Sequence, residues 1–308
     1  GGNRGRELSA HQRGTRRSAV SRRGRFGCEA CHTHDGGFFV CGHPAFFGRR
    51  GRTEICNIPI FHDDQHGTAI IATACLLNCI KLTHRDISEI KVVVNGAGAA
   101  AIAIAKLWLH YGVKHLILVD SKGIIYEGRE GLNKEKAALA KITNQEKRQG
   151  DLAEAMKGAD IFLGVSVAGV VTKEMIKSMA KDPIILALAN PVPEIMPEDA
   201  FEAGAYVVCT GRSDFPNQVN NVLAFPGIFR GALDVEASVI NEEMKIAAAN
   251  ALANAVGENP HSLDTNVAPQ VAMAVAKAAL ETGVARRTDR TPEMVYKRCQ
   301  EMMLLGKD

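Results

Sequence analysis

The feature that most constrains the fold is a glycine loop between a predicted strand, Lys91–Asn95, and a helix predicted over residues 99–111. The loop follows the pattern G-x-G-x-x-A. Gly96 permits a tight turn, Gly98 lets the backbone approach a pyrophosphate, and Ala101 allows close packing of helix on strand. The helix N-terminus offers unpaired N–H groups to phosphates. The predicted dinucleotide-binding residues are Gly96, Ala97, Gly98, Ala99, Ala100 and Ala101.

Short apolar runs alternate with helical stretches along most of the remaining chain. Further strands are predicted at His115–Asp120 and at residues 161–165, 184–188 and 206–209. Helices are predicted at residues 67–82, 151–157, 172–180, 197–203, 241–256, 269–285 and 294–305. This alternation indicates an α/β fold: a doubly wound parallel sheet, Rossmann-like, with additional C-terminal helices.

Asp120 ends the strand after the glycine loop, roughly twenty residues on, where an acid accepts hydrogen bonds from the adenosine ribose. An ordinary strand-end cap is the alternative interpretation. Lys122 could instead attract a 2′-phosphate. The sequence therefore leaves NAD and NADP both open.

Two acids and two imidazoles precede the first long apolar helix, in the order His62, Asp63, Asp64, Gln65, His66. One acid could simply cap that helix. Two adjacent acids with two histidines exceed what a cap requires. Such a group can hold a divalent cation or orient a lysine.

Four segments in order resemble the malic enzyme family of the bacterial type. His-Asp-Asp-Gln-His-Gly-Thr-Ala at 62–69 is similar to the family's metal motif, and residues 94–105 to its dinucleotide loop. Ala-Leu-Ala-Asn-Pro at 187–191 resembles a strand whose asparagine meets substrate and nicotinamide. Residues 211–221, with Phe-Pro-Gly at 225–227, resemble the second asparagine motif. The resemblance covers roughly residues 55–287.

The resemblance implies oxidation and decarboxylation of malate to pyruvate, with NAD or NADP and with Mg²⁺ or Mn²⁺. It implies that Asp64 is a metal ligand and that Asp63 hydrogen-bonds a catalytic lysine. It also implies that Asn190 and Asn220 contact malate, with Asn221 beside the site. Neutral amides suit this task because they donate hydrogen bonds without adding charge near a metal. For Asn190, a turn-forming role is the alternative.

The chain departs from the family pattern before Asp63. The family's lysine base, tyrosine acid and adjacent Glu-Asp metal ligands come earlier in the sequence, but here no Lys precedes Lys81 and no Tyr precedes Tyr111. We therefore expect this chain alone to bind dinucleotide and to turn over little or nothing. The rival hypothesis is a non-catalytic dinucleotide-binding partner or regulator. An amino-acid dehydrogenase is disfavoured by the His-Asp-Asp motif.

Residues 1–54 differ in composition from the rest. Eleven Arg and eleven Gly fall within residues 1–52, without sustained periodicity. We expect a disordered or artefactual extension; a basic nucleic-acid arm and a mitochondrial transit peptide are the alternatives. The predicted organisation is this segment, then a dinucleotide-binding domain over 55–290 and a helical tail over 291–308.

Cysteines in the first segment raise a competing hypothesis. Cys28, Cys31 and His32 fit a haem c attachment string, and Cys41 with His43 could complete a zinc site with Cys28 and Cys31. The arginine-rich, aperiodic surroundings argue against both.

The other inferences concern compartment and partners. Cys75, Cys79 and Cys209 are interpreted as small core hydrophobes, and the cysteine spacing indicates no disulfide framework, which fits a cytoplasmic location. A formal charge of +3 gives no argument for a nucleic-acid partner. The apolar stretch 69–80 is too short to span a bilayer. We expect malate as the small-molecule partner and a homo-oligomer in the intact family member.

Overall fold

The computed structural model describes residues 39–40, 60–255 and 266–305, so the predictions for residues 1–54 lie outside the described residues apart from 39–40. The strands are β1 (Phe39–Val40), β2 (Ile60–Phe61), β3 (Lys91–Asn95), β4 (His115–Asp120), β5 (Gly123–Ile124), β6 (Ile161–Gly164), β7 (Ile184–Ala187) and β8 (Val207–Thr210). Strands β1 and β2 pair in parallel with each other. The other six form one sheet in the order β5-β4-β3-β6-β7-β8.

Ten α-helices surround the sheet in the described part of the chain. They are α1 (Thr68–Thr83), α2 (Ala99–His110), α3 (Lys134–Ala140), α4 (Leu152–Met156), α5 (Lys173–Lys177), α6 (Pro197–Glu202), α7 (Phe225–Asp234), α8 (Glu242–Ala255), α9 (Val267–Glu281) and α10 (Pro292–Leu305). A π-helical turn, Asp63–Gly67, leads into α1, and a 3₁₀ turn, Asn221–Leu223, precedes α7.

The sheet is doubly wound, as predicted. Strand β3 pairs in parallel with β4 on one side and with β6 on the other, so the chain order reverses there. Only β5 runs antiparallel, against β4. Along β3, Val92 and Val94 enter one core cluster and Val93 enters the other. Alternating side chains thus bury both faces, which is why the three central residues of the strand are all valine.

The first cluster is the larger because the C-terminal helices join it. It takes buried residues from α1, α2 and α7 to α10, including Val295 and Cys299 of the last helix. The second cluster lies under the short helices α4 to α6. Two helices were not predicted, α3 and α7.

The segment Asp63–Thr83 is long enough to cross a membrane by length and composition, with 21 residues and a mean hydropathy of 1.2. The sequence analysis considered only residues 69–80, which are too short to span a bilayer; the continuous helical segment is longer because it includes the π-helical turn before α1. Eight residues of α1 are buried, and they lie in the larger core cluster apart from Thr73. The burial identifies α1 as a central packing element of this domain.

Candidate functional site

The candidate site lies at the carboxyl edge of the sheet, where strands β3, β6, β7 and β8 all end. In doubly wound sheets, ligands bind at this edge, next to the point where strand order reverses. Here that point lies between β3 and β6, and Gly96 meets Val165 across it. The predicted residues that follow these strands are therefore brought to one edge.

The glycine loop has the geometry that the sequence predicts. Gly96 has φ of +123°, and a Cβ there would lie 2.7 Å from the carbonyl oxygen of Val165. Gly98 precedes α2 and has no heavy atom within 4 Å of where a Cβ would stand. Ala101 is buried, whereas Ala99 is exposed. Among the described residues no side chain caps α2, and no acid lies in its first turn, so the first amides of this helix suit an anion.

Asp120 lies at the end of β4 as predicted, but its carboxylate has protein partners. Oδ2 accepts from Arg129 Nη2 at 2.6 Å and from Lys136 Nζ at 2.7 Å, and Oδ1 accepts from the backbone N–H of Lys122. Burial opposes ionisation, but the hydrogen bonds from Arg129 and Lys136 hold the pKa of Asp120 well below its usual range. The predicted ribose contact would share this carboxylate with two cations.

Asp63 lies in the π-helical turn, and its Oδ2 accepts from Asn221 Nδ2 at 2.5 Å. Burial, helped by the charge of Asp64, raises the pKa of Asp63 to about 6, and His62 and Asn221 partly oppose this. Among the described residues, the buried Oδ1 has no hydrogen-bond partner. The predicted hydrogen bond between Asp63 and a lysine stays a prediction.

Asp64 is exposed at the same turn, where a cation could reach it. A divalent cation that binds oxygen requires about six ligands, several of them from carboxylates or carbonyls. The described residues gather no group of three His, Asp or Glu ligands around Asp64. These residues alone therefore do not form a divalent-metal site.

Asn190 and Asn220 come together in a cleft of about 470 Å³ beside the ends of β7 and β8. A Cβ at Gly211 would lie 3.0 Å from Asn190 Nδ2, so the glycine avoids a close contact with the amide group of Asn190. Asn220 Oδ1 accepts from the N–H of Val222, which leaves its amide nitrogen for other partners. The cleft is lined by Asn190, Pro191, Val192, Gly211, Arg212, Ser213, Asp214, Gln218 and Asn220.

Arg212 is a cleft residue to which sequence reasoning gave no role. Its guanidinium forms a two-point ion pair with Asp214, at 2.8 and 2.5 Å, and lies 5.1 Å from the ring centre of Phe215. It is the only cation among the described residues that line the cleft. Its charge is already balanced by Asp214, so a carboxylate ligand in the cleft would share the guanidinium with that side chain. Its position inside the asparagine motif was the available signal.

Glu194 was also missed, because nothing in its local sequence distinguishes it from a surface acid. It is fully buried; Oε1 accepts from the N–H of Ser166 at 2.9 Å and Oε2 from that of Ala189 at 3.0 Å. The Ser166 hydroxyl accepts in turn from Asn95 Nδ2 at 2.8 Å. Burial raises the pKa of Glu194, although the amides of Ala189 and Ser166 oppose the shift. Glu194 thus links the ends of β3, β6 and β7.

Comparison with known proteins finds matches over most of the chain. Residues 65–286 match a family profile described as "Malic enzyme, NAD binding domain". A bifunctional malic/malolactic enzyme of Bacillus subtilis is 62% identical over 260 residues, 82% of this chain and 63% of that protein. An NADP-dependent malic enzyme of Escherichia coli is 48% identical over 286 residues, 82% of this chain and 37% of that protein.

A solved structure agrees with these matches. The NAD-dependent malic enzyme of Thermotoga maritima superposes with a TM-score of 0.70 at 49% identity, covering 73% of this chain and 61% of that one. This chain therefore spans less than two thirds of the relatives it resembles, between 37% and 63% of their length.

Proposed function

The chain belongs to the malic enzyme family, and from that premise we propose that the protein containing it oxidises and decarboxylates malate to pyruvate and carbon dioxide while reducing NAD or NADP. The observation that carries the proposal is the glycine loop at the reversal point of the sheet, with open space at Gly98 and uncapped amides at the start of α2. The family match supports the same reaction.

In this proposal the diphosphate binds the amides of residues 98–101, and the adenosine ribose lies towards Asp120. The nicotinamide then extends along the sheet edge to Asn190, a placement that the order of strands β3, β6 and β7 supports. Asn190 and Asn220 donate hydrogen bonds to malate, and a carboxylate of malate shares the guanidinium of Arg212 with Asp214. These residues hold malate with its C2 hydrogen towards the cofactor ring.

Asp63 has a positioning role in the proposed reaction. Its Oδ2 is held by Asn221, and its buried Oδ1 is available to a cationic donor. A lysine that accepts the hydroxyl proton would be oriented by this oxygen. We propose that such a lysine, with the remaining ligands that would join Asp64 around Mg²⁺ or Mn²⁺, comes from outside the described residues.

Calorimetry tests the dinucleotide site directly. We expect the full chain to bind NAD or NADP and Gly98→Val to weaken binding at least tenfold, because the added side chain enters the open space without displacing protein atoms. Lys106→Ala, at an exposed position farther along α2, is the matched control and should bind as wild type does. A folded chain that binds neither cofactor contradicts the proposal.

Pyruvate formation from malate with Mn²⁺ and each cofactor tests the catalytic part. We expect little or no turnover by this chain alone, since the described residues do not complete a metal site. The same observation favours the second candidate function, a dinucleotide-binding partner or regulator. Turnover at the rate of a complete malic enzyme would refute both the expectation and that alternative.

A further inference from the structure

Three thiols meet where α1 packs on the sheet. Cys75 and Cys79 are one turn apart on α1, and Cys209 lies on β8. The Sγ of Cys75 is 3.6 Å from that of Cys209 and 4.0 Å from that of Cys79, and all three sulfurs lie within 4.8 Å of one another. We propose that these three cysteines form a binding site for a soft, thiophilic cation of trigonal coordination, such as Cu(I).

The sulfur spacing matches that geometry. A metal–sulfur bond of about 2.3 Å places three sulfurs about 4.0 Å apart in a trigonal plane. The two distances from Cys75 are 3.6 and 4.0 Å, and the sulfurs of Cys79 and Cys209 lie within 4.8 Å of each other, so the cation requires sulfur movements below about one ångström. Structural Zn²⁺ takes four ligands, and no His, Asp or Glu of the described residues joins this group. Three thiolates alone therefore favour a soft metal such as Cu(I) over Zn²⁺.

The surroundings favour one anionic ligand among the three thiols. Hydrogen bonds from Cys209 and Cys75 lower the pKa of the Cys79 thiol, and its burial opposes that shift, whereas the pKa values of Cys75 and Cys209 are raised, so these two thiols lose their protons to the metal on binding. A thiolate favoured in this way is the form that binds metals. Cys79 and Cys209 are buried, and Cys75 is half-buried. The sequence analysis interpreted all three cysteines as core hydrophobes. That interpretation accounts for their burial but not for the close approach of their sulfur atoms.

Occupation of this site would join two elements that lead to the candidate active site. Helix α1 follows the turn that carries Asp63 and Asp64, and β8 leads into residues 211–221. A cation held by both elements stabilises the folded chain, because a ligand that binds only the folded state shifts the unfolding equilibrium. The site thus predicts a rise in thermal stability on addition of Cu(I).

The test uses the full chain with Cys28, Cys31, Cys41 and Cys56 replaced by serine, because these cysteines could bind metal independently. Anaerobic titration with Cu(I) against a competing chromogenic chelator measures stoichiometry and affinity. We expect one equivalent bound, with affinity at least tenfold weaker in C75S, C79S and C209S. C299S, which changes a buried free cysteine on α10, is the matched control and should bind as its parent does.

X-ray absorption on the parent protein decides the question even if a cluster variant fails to fold. Three sulfurs around each copper at about 2.3 Å support the proposal. Two sulfurs per copper, or binding unchanged in all three cluster variants, would overturn it. A fully reduced parent, with Cys75 and Cys209 as free thiols, that binds no Cu(I) would also overturn it.

Discussion

Replacing Glu194 gives the sharpest test of how the sheet edge is held together. Glu194→Ala leaves the amides of Ser166 and Ala189 without their acceptor. Each buried donor left unsatisfied costs about 1–3 kcal/mol, so we expect unfolding free energy to fall by about 2–6 kcal/mol. Glu194→Gln keeps one acceptor oxygen and should lose about 1–3 kcal/mol.

Urea denaturation followed by the fluorescence of Trp108, the single tryptophan and fully buried, measures the loss. Glu198→Gln is the matched control, because this exposed acid on α6 should change stability by less than about 0.5 kcal/mol. A loss below about 1 kcal/mol in Glu194→Ala would refute the assignment of Glu194 as the acceptor that joins the strand ends.

The pH dependence of the same variants gives a second test. Burial raises the pKa of Glu194 in the folded chain above its ordinary value of 4.5. In the window just above pH 4.5 the carboxyl of Glu194 is therefore protonated to a greater extent in the folded chain than in the unfolded chain. The contribution of Glu194 to stability therefore falls as pH rises through this window. The stability advantage of wild type over Glu194→Gln should shrink with rising pH, and an advantage that grew would contradict the raised pKa.

Three further predictions concern other parts of the domain. Gly227→Ala places a Cβ 2.6 Å from that of Val271, so overpacking should cost about 1–3 kcal/mol in urea denaturation; an unchanged midpoint would contradict the close contact. Asp234→Ala leaves the guanidinium groups of Arg230 and Arg298 without their buried carboxylate and should cost about 2–4 kcal/mol by the same assay. Asp120→Asn frees two cations for a 2′-phosphate and should shift calorimetric preference towards NADP at least tenfold; an unchanged preference would place the ribose elsewhere. Because the folded pKa of Asp120 is depressed, its stabilising effect is present above its ordinary value of 3.8 and is lost as pH falls below it.

The sequence predicted five of the six strands of the main sheet, because each of these is a short apolar run bounded by polar or glycine residues; it did not predict the two-residue strand β5. It did not predict α7, since Phe-Pro-Gly at its start is typical of a turn. In the structure Pro226 occupies the first turn of the helix, where its missing N–H costs nothing. A Cβ at Gly231 would lie 2.5 Å from the carbonyl oxygen of Ala272, so this glycine serves close packing on α9. Which role a glycine has depends on a partner helix that local sequence does not reveal.

Some features of the candidate site could be predicted from local sequence, and others could not. The glycine loop was predictable because its function depends on local backbone conformation, and Gly96 has the positive φ that the motif requires. The burial of Glu194 and the ion pairs of Asp120 depend on residues distant in sequence, such as Lys136. Neither periodicity nor a short motif carries that information. The predicted roles of Asp63, Asp64 and the asparagines remain predictions.

The bond between Asp63 and Asn221 joins residues 158 positions apart, with every strand of the main sheet between them. On a ribosome, the nucleotide loop and its flanking strands emerge well before Asn221. The contact between Asp63 and Asn221 can therefore form only late in synthesis, because its two partners come from opposite ends of the domain. Folding during synthesis is expected to place the glycine loop before it joins the turn at Asp63 to the turn at Asn221.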